Sequence, residues 1–169
     1  MKGLRILVLT AITSAMLAYG VAAAGVAGLI GVSYELLPGS SFQEGCIPPC
    51  MCPVMMSDDL VGTFTLVKKS MSSQDAFYRI KEISWKAIGP NGEVVHTITG
   101  TGNYRYRNVG NAYVKHQLIL NVSIDGGKLI QLDSGNIISC SQFPVIATSI
   151  RRGTQCFDIW MDVIAEPSS

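Results

Sequence analysis

No nucleophile elbow, phosphate-binding loop or His-Glu-x-x-His motif occurs in the 169 residues. The commonest sequence signatures of hydrolase, nucleotide and zinc-protease chemistry are therefore missing. Histidine is scarce: His96 and His116 are the only two. The chain has no basic block and a formal charge of +1, which gives no electrostatic case for nucleic acid or an anionic membrane surface as partner. There is no internal repeat, no low-complexity tract and no convincing amphipathic helix. The thioredoxin-type Cys-x-x-Cys pair is absent too, so disulfide shuttling has no recognisable centre.

What the chain does have begins at its start. Lys2 and Arg5 precede a run without charge from Ile6 to Tyr34, the form of an export signal. Ala22, Ala23 and Ala24 supply small residues for cleavage, so residues 1–24 are expected to be a signal peptide. The rival is an uncleaved anchor reaching to about residue 32, because about 20 apolar residues span a bilayer core. A membrane is a partner only in that second case. No cysteine follows the apolar run closely enough for lipid attachment. Removing residues 1–24 leaves 11 basic and 12 acidic residues on about 145 positions, the size of one domain.

From Gly62 onward the dominant signal is an alternation of apolar and polar residues, bounded by Gly, Asn and Asp. Residues 25–61 are expected to be an extended Pro/Cys-rich lead-in and residues 62–166 an all-β domain. The apolar phase changes between Ile80 and Ile83, as a β-bulge would make it do. Gly100-Thr101-Gly102 reads as a break between two strands. The cleanest alternation puts Val114, His116, Leu118, Leu120, Val122 and Ile124 on one face. Asp125-Gly126-Gly127 is a strong hairpin turn. About eight strands at turn spacing, joined by short connections, predict a single antiparallel β-sandwich or β-barrel.

Five cysteines in an exported chain point to disulfides with one thiol left over. Cys46, Cys50 and Cys52 share one proline-rich loop, while Cys140 and Cys156 flank the last hairpin. Either the last two pair together, or a loop cysteine pins the loop to the hairpin. The alternative is a soft-metal site of the copper type, since Cys46, Cys50, Met51, Cys52, Met55 and Met56 place three thiols and three thioethers together. Zinc fits less well, because the spacing is not a zinc spacing and no histidine is near.

Three further features have both a functional and a plain structural reading. Asp158 and Asp162 fall on one face of the last strand with Trp160 between them, which suits acid–base work or, more simply, a solvated face. Tyr104 and Tyr106 alternate with Arg105 and Arg107, as in a ligand platform or ordinary cross-strand packing. His116 interrupts an apolar face, where a hydrogen-bonded core histidine is the simpler expectation.

Leu36-Leu37-Pro38-Gly39-Ser40, the cysteine loop and Gly62-Thr63-Phe64 together resemble a group of uncharacterised exported bacterial proteins with a Leu-Leu-Pro-Gly-Ser start. That resemblance covers about 30 residues and implies export from a bacterium and a β-rich body, with no activity and no cofactor attached. The expectation is an exported (periplasmic, secreted or surface) non-catalytic β domain with a structural or binding role. A small apolar ligand held in a barrel cavity is a further alternative.

Overall fold

The computed structural model describes residues 31–50, 55–110, 113–139 and 143–169. The expected signal segment, with its choice between cleavage and anchoring, lies outside the described residues, as do Met51, Cys52 and Cys140. Among the described residues no helix is long and apolar enough to cross a membrane.

Ten strands form one sheet: β1 (Gly31–Leu36), β2 (Ser41–Cys46), β3 (Met55–Met71), β4 (Asp75–Ile88), β5 (Val94–Gly110), β6 (Tyr113–Ile124), β7 (Ile130–Asp133), β8 (Ile137–Ser139), β9 (Ile146–Arg151) and β10 (Phe157–Pro167). Every pairing is antiparallel. The ten strands fill eight positions, because two positions are each shared by two strands laid end to end. β2 pairs with the first part of β3 and β1 with the later part, and both also pair with β10. In the same way β7 and β8 both pair with β6, at Ile119–Val122 and at Val114–His116.

Each shared position is interrupted by a short kink whose serine replaces lost ladder bonds. Between β1 and β2, Pro38 has no N–H to donate. The Ser40 hydroxyl there donates to the Ile164 carbonyl and accepts from the Ile164 N–H, both at 3.0 Å. Between β7 and β8, the Ser134 N–H donates to the Leu118 carbonyl at 3.0 Å and its hydroxyl accepts from the Leu118 N–H at 2.9 Å. The chain thus bends while the Ile164 and Leu118 backbone groups keep partners.

The pairings close on themselves. From β10 the circuit runs through β1/β2, β3, β4, β5, β6, β7/β8 and β9 back to β10. One link is thin: β7 meets β9 only at Asp133↔Arg151. Among the described residues no pairing joins β8 to β9, so the sheet has a seam there.

The structure changes the expected plan in two places. Residues 31–36, 41–46 and 55–61, expected as lead-in, are strands in the sheet. The Pro38-Gly39 step kinks one strand position and does not reverse the chain. The expected break at Gly100–Gly102 is absent too, since β5 runs straight through it. A Cβ at Gly100 would stand 2.3 Å from the Asn121 carbonyl oxygen, so glycine lets β5 and β6 approach there. The expected phase change is present in β4: pairing with β5 shifts between Ile80 and Ile83, and Glu82 has φ 54°.

Alternation delivers the core. Phe42, Leu60, Phe64, Ile80, Trp85, Ile98, Leu118, Leu120, Leu132, Ile146, Ile150 and Met161 are buried in one cluster with Tyr34 and Tyr104. Each such side chain removed from water stabilises the fold by about 1.5–3 kcal/mol. Phe143 stacks on Tyr78 at 5.1 Å and also meets Tyr104 and Tyr106. His116 is buried among them, its Nδ1 hydrogen-bonded to the Tyr104 hydroxyl at 2.6 Å. The inner face of β6 therefore packs against side chains: of Val114, His116, Leu118, Leu120 and Val122, only His116 borders a described cavity, one of about 30 Å³.

Candidate functional site

The seam between β8 and β9 opens into a cavity of about 560 Å³ lined by Ile47, Asp133, Ser134, Ile137, Ser149, Ile150, Arg151, Asp158, Trp160 and Asp162. Strand alternation puts Trp160, Asp158 and Asp162 there. Met161, Val163 and Ala165 of β10 point into the core, so the residues between them face outward. The kink around Ser134 carries Asp133 and Ile137 to the opposite wall.

Each carboxylate in the groove is held by uncharged donors. Asp158 Oδ1 accepts from the N–H groups of Gly153 (3.0 Å), Thr154 (3.3 Å) and Ile159 (2.9 Å) and from the Thr154 hydroxyl (3.3 Å), which fixes the β9–β10 turn. Asp162 Oδ2 accepts from Ser41 Oγ (3.1 Å) and Gln43 Nε2 (3.2 Å), and its Oδ1 accepts from the Ser149 hydroxyl. Asp133 Oδ1 accepts from the Gly135 N–H (2.8 Å) and from Gln117 Nε2 (3.4 Å). None of the three makes an ion pair among the described residues. Among the described residues Arg151 is the single cation in the lining, which leaves those residues a formal charge of −2. The groove is an acidic slot with an indole wall and isoleucines at its sides.

The cysteine loop closes one side of this slot. Cys50 is disulfide-bonded to Cys156, the loop-to-hairpin option. The Ile47 N–H donates to the Cys156 carbonyl at 3.0 Å, and Ile47 thereby borders the cavity. Cys46 is also disulfide-bonded. A sulfur in a disulfide is not a thiolate ligand. In this oxidised form the set Cys46, Cys50, Cys52, Met55 and Met56 thus keeps neither Cys46 nor Cys50 as a soft-metal donor. Met55 and Met56 are exposed at the start of β3. Among the described residues no group of three His, Cys, Asp or Glu side chains stands close enough to hold a metal ion.

The remaining candidates fall elsewhere. His96 Nδ1 lies 2.6 Å from Asp125 Oδ2, and its Nε2 lies 3.7 Å from Glu44 Oε1. Asp125 also accepts from the Thr97 N–H at 2.8 Å. These bonds, the one to His96 foremost, lower the Asp125 pKa from its ordinary value. With a carboxylate facing each ring nitrogen and no described cavity at the ring, this cluster resembles a clamp on the β6–β7 turn. Tyr104 and Tyr106 face inward and Arg105 and Arg107 outward, so the alternating tetrapeptide forms two surfaces.

The Asp158–Trp160–Asp162 face was visible in the sequence, but Asp133, Ser134 and Ile137 were not, because only sheet closure brings them to β10. Against protein-family models, curated proteins and solved structures, the chain has no match.

Proposed function

We propose that this chain is an exported, non-catalytic binding module, stapled by disulfides for an oxidising compartment, with the seam groove as its ligand site. The observation that carries the reading is the convergence of Asp133, Asp158, Asp162 and Trp160 on one cavity. Three carboxylates balanced by one arginine favour a cation, and an indole face adds cation–π attraction, strongest for tryptophan. Ile47 and Ile137 suit the apolar stem of such a cation. The ligand class is therefore an organic ammonium or guanidinium on an aliphatic arm, such as the side chain of a basic peptide. The disulfide at the groove margin supports extracytoplasmic action, in line with the basic, apolar start of the chain. The carboxylates are occupied in holding turns and strands, and His96 is enclosed by acids, which supports binding over catalysis.

The test uses the two-tryptophan composition. In a Trp85→Phe variant, Trp160 is the sole indole. Nα-acetyl-arginine amide, titrated at low ionic strength, is expected to change its fluorescence saturably, and its uncharged analogue Nα-acetyl-citrulline amide is not. Asp162→Asn should weaken the effect and added salt should suppress it. Equal responses to both amides would remove the organic-cation reading.

A further inference from the structure

We infer that a second site, for a tetrahedral oxoanion such as a phosphate or sulfate group, lies on the outer face of β5 and β6. It sits across the Asp133–Ile137 kink from the seam groove and does not depend on that groove's function. The register sets it up. Arg107 is directly opposite Lys115, and Arg105 is opposite Gln117. With Tyr104, Val114 and Leu118 buried, these polar neighbours share the outer face.

Like charges directly opposite on adjacent strands are unfavourable. Among the described residues one carboxylate pairs with them and offsets them only in part, while a second, Asp133, bonds to Gln117 at 3.4 Å. Asp75 takes a two-pronged bond from Arg107, Nε to Oδ1 at 2.7 Å and Nη2 to Oδ2 at 2.9 Å, and also meets Arg105 at 3.5 Å. Lys115 makes no ion pair among the described residues. The three cations, with Gln117 and Asn136, surround a small cavity of about 30 Å³ whose lining also includes His116. That volume admits the oxygens of one compact group and excludes a ring system, so the rest of a larger ligand stays in solvent. An anion there converts the Arg107–Lys115 repulsion into two attractions, with guanidinium N–H and ammonium groups as charge-assisted donors.

The experiment measures thermal stability and binding of the oxidised full chain in inorganic phosphate and in glycerol phosphate, against chloride at matched ionic strength. Both phosphates are expected to bind saturably and raise Tm above the chloride value. A preference for the ester would mark a terminal group of a larger ligand. Lys115→Gln and Arg105→Gln each remove one charge-assisted donor and should weaken phosphate binding about tenfold or more. Lys128→Gln, on the β6–β7 turn, should bind as the parent does. Stability supplies a second readout with an unusual sign. In chloride, Lys115→Gln relieves a repulsion and should match or exceed the parent in Tm, whereas in phosphate the parent should overtake it. Equal Tm in phosphate and chloride, or undiminished binding in both Gln variants, would overturn the site. Asp162→Asn should leave phosphate binding intact, which separates failure here from failure of the seam groove.

Discussion

Replacing Cys50 and Cys156 together by alanine should cost this protein a large part of its stability, and the size follows from where the bridge lies in the chain. The two cysteines are 106 residues apart. In the chain-entropy account, a loop of that length restricts the unfolded chain by at most about 4.8 kcal/mol at room temperature, the value for a sole cross-link, since Cys46 is bridged as well. The native side of the balance should change little, because other bonds already join the two segments. Cys46 pairs with Phe157 in the ladder, and the Ile47 N–H bonds to the Cys156 carbonyl. The loss should therefore arise almost entirely in the unfolded state. With a urea m-value of about 2 kcal/mol per molar for a domain of this size, the midpoint should fall by roughly 2 M. A companion variant sharpens the reasoning. Cys156 has φ 71°, in the left-handed region that costs an L-residue about 1–2 kcal/mol. Cys50→Ala with Cys156→Gly should consequently be more stable than the double alanine variant, by roughly 1 kcal/mol. Urea melts of the three proteins decide the matter. A loss below about 1 kcal/mol for the double alanine variant would refute the loop-closure account.

Asp158→Ala removes the acceptor of four bonds around the β9–β10 turn and leaves three part-buried N–H groups without it, so urea melts should show a loss of about 1–3 kcal/mol. Gly100→Ala places a methyl against the Asn121 carbonyl and should cost about 1–3 kcal/mol, read by the same assay. Burial raises the pKa of Tyr34 to about 12 and also raises those of Tyr78 and Tyr104. Their contribution to stability is complete below the ordinary tyrosine range and is lost as pH rises toward about 12. Phenolate absorbance should therefore rise together with loss of the near-ultraviolet circular dichroism signal. The lowered pKa of Asp125 acts in the opposite direction: its contribution is complete above the ordinary aspartate value and disappears as pH falls through the folded-state value. Asp125→Asn should flatten the acid limb of a Tm-against-pH curve.

Much of the sheet could be read from residue order, and the exceptions have physical causes. The alternation in β6 and β10 named the inward residues because a pleated strand exposes every second side chain to one face. The slip in β4 was legible for the same reason: Ile80 and Ile83 cannot both face inward without an extra residue between them. Residues 25–61, with Pro38-Gly39 and the proline-rich loop, looked like an extended lead-in to the sheet, yet Ser40 repairs the ladder through a hydroxyl, a bond no local pattern announces. Gly100 and Gly102 looked like a break because composition does not distinguish a bend from a close approach between strands. The groove was half legible. Asp158, Trp160 and Asp162 share a face by simple alternation, whereas their partners at Asp133–Ile137 depend on which strand edges meet at the seam. Likewise, cysteine spacing allowed several pairings, and only the β2–β10 register brings Cys50 beside Cys156.

The position of the disulfide also determines how the molecule would carry mechanical load. β1 and the end of β10 are antiparallel neighbours, with Tyr34 opposite Pro167, so the two ends of the described chain leave from the same side. A pull between them would peel β1 from its neighbours one bond at a time, the low-force direction for a sheet. Peeling would then reach Cys50 and Cys156 and stop, because the covalent link shunts tension past everything between them. Strands β3 to β9, and with them most of the core and the outer face of β5 and β6, would remain folded under a force that had already straightened both ends. A chain tethered through its N-terminal segment and pulled through its other end would extend by a fixed, short length and hold.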